Sequence, residues 1–308
     1  MNTVVVPGVL AGTRIDRVVS LLTGVSRTES RRLVEEGHVL VDGRPVTAAA
    51  HKLSGGEGLE LDLPIDASDA QGGLPAPSAA VPFEVVYEDA DVLVIDKPAG
   101  VVVHPGSGVR EGTLVSGLLA RYPDLAELGG PRPGIVHRLD KGTSGLLVVA
   151  RNAAAQEALA AQLAARTLRR EYRAFVRGHL TADEGLVDAA IGRSQRDRTR
   201  MAIAGGPRAR PARTAYRVLR RAIDPIEASD VELTLETGRT HQIRVHMAAI
   251  GHPVLGDTTY GDRKAVPGLK RPFLHAARLG LEHPVSGEEL RFESKLPDDL
   301  EAVAARLR

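Results

Sequence analysis

Between Pro64 and Val81 the chain carries Asp66-Ala-Ser-Asp-Ala-Gln-Gly-Gly-Leu-Pro-Ala-Pro-Ser78, a run of turn formers nearly devoid of large apolar side chains. Such a run cannot bury enough apolar surface to offset the entropy of ordering it, so it reads as a flexible linker. It divides the 308 residues into a short piece, about 13–63, and a long one, 82–308. Each piece must build its own core. Apolar residues make up 43% and charged residues 26%, as in globular proteins of a size that buries a sizeable core. With aromatics at 3%, that core must be aliphatic and Ala-rich.

The short piece reads as helix, helix, strand, turn, strand. Thr13-Arg-Ile-Asp16 resembles a capping box with Asp in place of Glu, and Ile15, Val18, Val19 and Leu22 line one helical face before Gly24. Ser26-Arg-Thr-Glu29 opens a second helix that Gly37 ends. His38-Val-Leu-Val41 leads into Asp42-Gly43, a hairpin turn, and Leu59, Leu61 and Leu63 alternate with Glu60 and Asp62 as a half-buried strand. The helices carry Arg14 and Arg17, then Arg27, Arg31 and Arg32. These form either a solvated face paired with neighbouring acids or a phosphate-contacting face that releases counterions. The two helices and Gly37-His-Val-Leu-Val-Asp-Gly-Arg-Pro-Val46 resemble the S4 RNA-binding domain. That resemblance implies RNA binding and no chemistry.

In the long piece, strands are signalled at Val92–Ile95, Leu146–Val149, Tyr172–Val176, Thr214–Leu219 and Val231–Leu235. Helices are signalled at about Asn152–Arg166, with Leu159 and Leu163 paired at i,i+4, and at Thr240–Ile250. The expected fold class is α+β with a largely antiparallel sheet.

Several chemistries drop out early. Without cysteine there is no disulfide, Cys-ligated zinc, iron–sulfur cluster or thiol nucleophile. Walker A and dinucleotide-binding glycine loops are missing. His241 and His246 are five apart, unlike the i,i+4 pair of a zinc protease, and no metal is expected. Met1–Leu10 lacks the pattern of a signal peptide and no membrane-length apolar run exists, so a cytoplasmic protein without membrane partners is expected. The formal net charge of +1 does not mark a nucleic-acid binder, but its distribution is uneven. Arg193, Arg196, Arg198, Arg200, Arg208, Arg210 and Arg213 crowd around Gly205-Gly206-Pro207, as either a disordered basic loop or a phosphate-gripping hairpin.

Two acid–base candidates remain. Asp140 lies on a loop, His137-Arg-Leu-Asp140, that feeds the apolar strand Leu146–Val149; it is either a turn-capping Asp or a reactive carboxylate. Arg244 follows the strand Val231–Leu235 and the turn at Gly238, one residue off the apolar face Ile243, Met247, Ile250. A semi-buried arginine there calls for a carboxylate partner.

His137-Arg-Leu-Asp-Lys-Gly-Thr-Ser-Gly145, Arg170-Glu-Tyr-Arg-Ala-Phe-Val-Arg-Gly178, Gly238-Arg-Thr-His-Gln-Ile-Arg-Val-His246, Gly251-His-Pro-Val-Leu-Gly-Asp257 and Arg271-Pro-Phe-Leu-His-Ala-Ala277 together resemble the pseudouridine synthases of the ribosomal large-subunit type. The resemblance implies a pseudouridine synthase fold and isomerisation of uridines in large-subunit ribosomal RNA, free or in a pre-ribosomal particle. It implies Asp140 as nucleophile, Arg244 as its ionic partner, Tyr172 stacking on uracil, and Arg138 filling the space vacated by a flipped base. Arg196, Arg198 and Arg200 would join the S4-like arginines in gripping RNA. The isomerisation needs no redox change or energy input, so no cofactor is expected, and a monomer is. One departure is Gly142, where the family usually has a second acidic residue. Alternatives are a synthase acting on transfer RNA, and a non-catalytic S4-type RNA-binding assembly factor.

Overall fold

The computed structural model describes residues 2–6, 8–23, 27–61, 74–105, 109, 111–197, 199–206, 209–261 and 266–308. Expectations on Gly24, Ser26, Asp62, Leu63, residues 64–73, Arg198, Pro207 and Arg208 fall outside them, as do the side chains of Leu22, Arg27, Glu29 and Leu61. The chain divides into two compact units, residues 1–74 with 129–131, and the rest from Pro75 onward.

The first unit contains β1 (Asn2–Val5), α1 (Ile15–Thr23), α2 (Arg27–Glu35), β2 (Val39–Val41), β3 (Arg44–Pro45) and β4 (Gly58–Leu61). Its antiparallel sheet has the order β1-β4-β2-β3. Ile15, Val18 and Val19 of α1 and Leu33 and Val34 of α2 are fully buried against Val39 and Leu59, as the helical spacing requires. Asp42 and Gly43 both have positive φ, 48° and 75°, the conformation a two-residue hairpin turn needs. The sequence does not signal β1: its apolar run, Val4–Val6, is three residues long, too short to read as a strand by pattern.

The second unit starts at Pro75, inside the stretch expected to be a linker. Ser78 N–H donates to Ser116 O, and Val81 is buried. Its first elements are β5 (Glu84–Glu88), β6 (Val92–Lys97), α3 (Leu114–Arg121), β7 (Ser144–Ala150), α4 (Ala153–Ala165) and β8 (Arg169–Arg177). Next come β9 (Glu184–Asp188), β10 (Ile191–Arg193), β11 (Met201–Ile203), β12 (Arg213–Ala222) and β13 (Ala228–Leu235). The last are α5 (Gln242–Ala249), β14 (Leu274–Glu282), β15 (Glu289–Glu293) and α6 (Asp298–Ala304). One large sheet runs β5-β6-β7-β14-β8-β13-β12-β9, with β15 paired to the far half of β14. Among its pairings β7–β14 is parallel and the others antiparallel, which matches the expected fold class. β10 and β11 form a separate hairpin.

The sheet centre is apolar on both faces. Leu93, Ile95, Leu147 and Val149 join one core with α3, while Val92, Val94, Leu146 and Val148 pack with Ala155 and Leu159 of α4 on the other. Each such side chain contributes roughly 1.5–3 kcal/mol by leaving water. α4 starts where expected, with Asn152 Oδ1 accepting from Ala155 N–H, and ends on Arg166 in the left-handed region. α5 differs from expectation at both ends. Its N-cap is His241 rather than Thr240, because Gln242 Oε1 accepts Arg239 N–H and fixes the turn ahead of the helix. Ile250 lies beyond the last turn and is 38% exposed, so it is not part of the buried face.

Candidate active site

The loop bearing Asp140 is pinned from several directions. Thr143 N–H donates to Asp140 O and Gly100 N–H to Lys141 O, at 3.0 and 2.7 Å. His137 Nε2 accepts Val148 N–H at 3.2 Å, and burial, reinforced by Arg170, draws its imidazole down to about 3. It is therefore a neutral clamp between loop and β7. At the loop's exit, buried Ser144 Oγ donates to His275 Nδ1 at 3.0 Å, while His275 Nε2 donates to Ser294 O at 3.2 Å. Gly142 faces Pro272: a Cβ there would lie 3.1 Å from Pro272 Cδ. Gly142 O also accepts from Arg271 Nη1, whose other nitrogens are held by Asp299. The departure at this position thus allows a close seat against the neighbouring loop.

The Asp140 carboxylate caps no backbone donor among the described residues. Its hydrogen-bond partner is Arg244 Nη1, at 3.2 Å. The two residues are 104 positions apart in sequence and meet because α5 lies over the sheet beside the loop. Arg244 is 8% exposed, and its Nε and Nη2 donate to Asp257 at 2.7 and 2.9 Å. Burial disfavours that guanidinium's charge, but bonds from Asp257 and then Asp140 more than compensate and raise its pKa. Burial likewise opposes ionisation of Asp257, yet Arg244 and the N–H groups of Thr259 and Tyr260 hold its carboxyl below the usual range. Asp257 was legible only as part of a quoted motif; its role requires the tertiary contact.

The pocket around Asp140 has a volume of about 490 Å³ and is lined by Tyr172, Arg138, Arg170, Arg239 and His241 among others. Tyr172 is 5% exposed, and burial pushes its phenol up to about 12, so it stays protonated at neutral pH and is a poor base. Arg138 is exposed, with Nη1 3.4 Å from His104 Nε2. His104 Nδ1 donates to Pro105 O, which leaves Nε2 as the acceptor for the arginine. Lys97, which the sequence reading did not single out, is wholly buried with Nζ donating to Pro98 O and Val101 O, both at 2.9 Å. Burial lowers its ammonium to about 8, partly offset by Asp140.

The other expected contacts are dispersed. In the first unit, Arg14 donates to Asp16 at 3.1 and 2.7 Å, Arg31 pairs with Glu35, Arg32 with Glu36, and Arg17 is exposed. Asp16 is buried, whereas the exposed Arg31–Glu35 and Arg32–Glu36 pairs contribute little to stability. In the second unit, the β10–β11 hairpin places its turn at 194–200, ahead of Gly205. Arg196 is exposed there and Arg200 pairs with Asp197 at 3.2 Å. His246 is no metal partner for His241: its Nε2 donates to Ala189 O and its Nδ1 accepts from Thr214 Oγ1. Among the described residues, no helix is long and apolar enough to cross a membrane.

An arginine-rich pocket around an ion-paired carboxylate on a mixed sheet, in a chain that also carries a small helix–sheet unit, fits an enzyme of nucleic-acid chemistry. A family model for RNA pseudouridylate synthases matches residues 91–249, and one for the S4 domain matches 13–59. The chain is 43% identical to the ribosomal large subunit pseudouridine synthase D of Vibrio parahaemolyticus, over 96% of this chain and 91% of that one. It is 48% identical to an uncharacterized RNA pseudouridine synthase of Chloroflexus aurantiacus, over 100% and 94%. Human RNA pseudouridylate synthase domain containing 1 superposes with a TM-score of 0.57 at 32% identity, covering 74% of this chain and 89% of that one. The chain belongs to the RNA pseudouridylate synthase family, with an S4 domain at its N-terminal side, and is an RNA pseudouridine synthase.

Proposed function

We propose that this enzyme converts uridines of large-subunit ribosomal RNA to pseudouridine, with Asp140 as the nucleophile. The observation that carries the reading is the Asp140–Arg244–Asp257 chain of ion pairs at the pocket wall. A fixed guanidinium orients the carboxylate while Asp257 holds the guanidinium. The carboxylate attacks ribose C1′ or uracil C6, the N1–C1′ bond breaks, the base turns and C5 bonds to C1′; the bond to Asp140 then breaks to free the carboxylate, and C5 loses its proton while N1 gains one. Tyr172 supplies an apolar ring for the uracil to stack on. Arg138 leaves His104 to fill the space of the everted nucleotide, whose extrusion costs about a few kcal/mol.

Residues 13–63 serve as an RNA-gripping domain through Arg14, Arg17, Arg27, Arg31 and Arg32, and residues 82–308 carry the chemistry. Arg196, Arg198 and Arg200 hold phosphates near the target. The large-subunit substrate is supported by relatives named for it over more than nine-tenths of this chain. The enzyme acts as a cytoplasmic monomer without a cofactor. Incubating ribosomal RNA transcript with the parent and Asp140→Asn, then assaying pseudouridine, tests the reading. The parent should form product and the variant none while still binding RNA. Substantial turnover by the variant sinks the assignment.

A further inference from the structure

His241 has no part in the roles proposed above, yet the structure places it with unusual care. Its φ is 58°, in the left-handed region that non-glycine residues rarely enter. The side chain reaches into the pocket with Nε2 3.9 Å from Asp140 Oδ2. On the far side of the ring, Nδ1 lies 2.8 Å from Tyr260 Oη. That oxygen accepts the backbone N–H of Met201 at 3.0 Å.

These contacts fix the tautomer. Met201 N–H can only donate, and among the described residues Tyr260 Oη has one further partner, His241 Nδ1. Tyr260 Oη could also accept from Nδ1, but only donation from the hydroxyl to Nδ1 gives the phenol proton an acceptor among the described residues, which puts the hydrogen of the neutral ring on Nε2. At 3.9 Å the Asp140 oxygen is beyond hydrogen-bonding reach, so Nε2–H stays open toward the pocket. The charged or titratable groups facing the ring are Asp140, Arg244, Asp257, Arg138 and Tyr260. Burial lowers the imidazole pKa; the Asp140 carboxylate opposes this and Arg244 adds to it, which leaves the ring neutral at physiological pH. Arg244 has little left to offer a substrate, since Nε and Nη2 are taken by Asp257 and Nη1 bonds Asp140.

We propose that neutral His241 is a further catalytic residue, donating Nε2–H to uracil O2 as the N1–C1′ bond breaks. The departing base takes up negative charge, and O2 is the carbonyl beside the breaking bond. A fixed donor aimed at the site of developing charge lowers the barrier without reorganising. The donor's orientation depends on Met201 through Tyr260, so the seat of the arginine-bearing hairpin and the alignment of the donor belong to one hydrogen-bond chain.

The inference rests on Asp140 being the nucleophile, and the test separates the two. His241→Gly keeps the left-handed backbone accessible and removes the donor. With ribosomal RNA transcript under single-turnover conditions, its rate should fall about a hundredfold while RNA affinity changes less than about threefold. His241→Gln, which returns an N–H donor, should recover part of the loss. In the parent, activity should decline on the acid side as the ring protonates and pairs with Asp140; in His241→Gly that decline should move to lower pH. Should His241→Gly melt far below the parent, Tyr260→Phe replaces it: loss of the tautomer-fixing proton should lower the rate about tenfold at unchanged affinity. A His241→Gly rate within about threefold of the parent, an unmoved acid limb, or a parent-like Tyr260→Phe overturns the proposal. Asp140→Asn run alongside assigns the failure. If it is inactive, only the histidine role falls; if it is active, the nucleophile assignment falls first.

Discussion

Asp257 grips Arg244 at two corners, with Oδ2 accepting from Nε at 2.7 Å and Oδ1 from Nη2 at 2.9 Å. The third corner, Nη1, is what reaches Asp140. Asp257→Ala would strand a buried guanidinium and should destabilise the fold by roughly 3–5 kcal/mol. Denaturant unfolding measures it, and an unchanged midpoint would mean that Arg244 finds another partner.

The buried Lys97 gives the protein a signature on the alkaline side. Its unfolded ammonium titrates near 10.5 and the folded one at about 8. Between these values the unfolded state binds the extra proton, so the penalty on folding is full below the lower value and fades as pH rises. The stability of the parent minus that of Lys97→Met should therefore increase by about 3 kcal/mol from about pH 8 to about 10.5. A flat difference would place the ammonium in contact with water.

Arg138 should matter most where the target base is hardest to evert. Arg138→Ala should slow modification of a uridine inside a stem roughly tenfold more than one in an open loop, given an extrusion cost of about a few kcal/mol. Equal slowing on both substrates would assign it to phosphate binding instead.

The hairpin arginine Arg196 should act through counterion release. For Arg196→Ala, the slope of log affinity against log salt should shrink by about one unit, with little change in which uridines are modified. An unchanged slope would put the side chain outside the RNA footprint.

Gly145 of β7 pairs with Ala276 of β14. Its φ is 111°, and a Cβ would sit 2.3 Å from Ala276 O. Gly145→Ala must push the two strands apart and should lower stability by roughly 3 kcal/mol. A parent-like melting curve would show that the sheet tolerates the displacement.

Much of this was legible in the residues, for identifiable reasons. Helical spacing placed Ile15, Val18 and Val19 on a buried face, and Asn152 announced the start of α4. Asp140 and Arg244 were recognisable because their flanking motifs are distinctive, and the structure brings them together. Asp257 and His241 were not separable from their motifs, and Lys97 and His104 carried no signal of their own, since their importance lies in partners distant in the chain or in burial that composition cannot convey. β14 escaped notice because Leu274-His-Ala-Ala277 is poor in β-branched residues, and β15 because its acidic and basic residues alternate on an exposed edge. The packing of Val81 is not legible in its own stretch, because it is a lone apolar residue whose partner, α3, lies more than thirty positions onward.

β14 has a temporal meaning as well. It inserts between β7 and β8, the strands bearing the Asp140 loop and the pocket tyrosine, yet it is translated after both. Until Leu274–Glu282 has been made, β7 and β8 lack the strand that joins them, and their edges have no partner there. A nascent chain therefore holds its S4 domain well before it holds the strand that joins the two halves of the pocket, so synthesis order alone sets the small domain ahead of the catalyst.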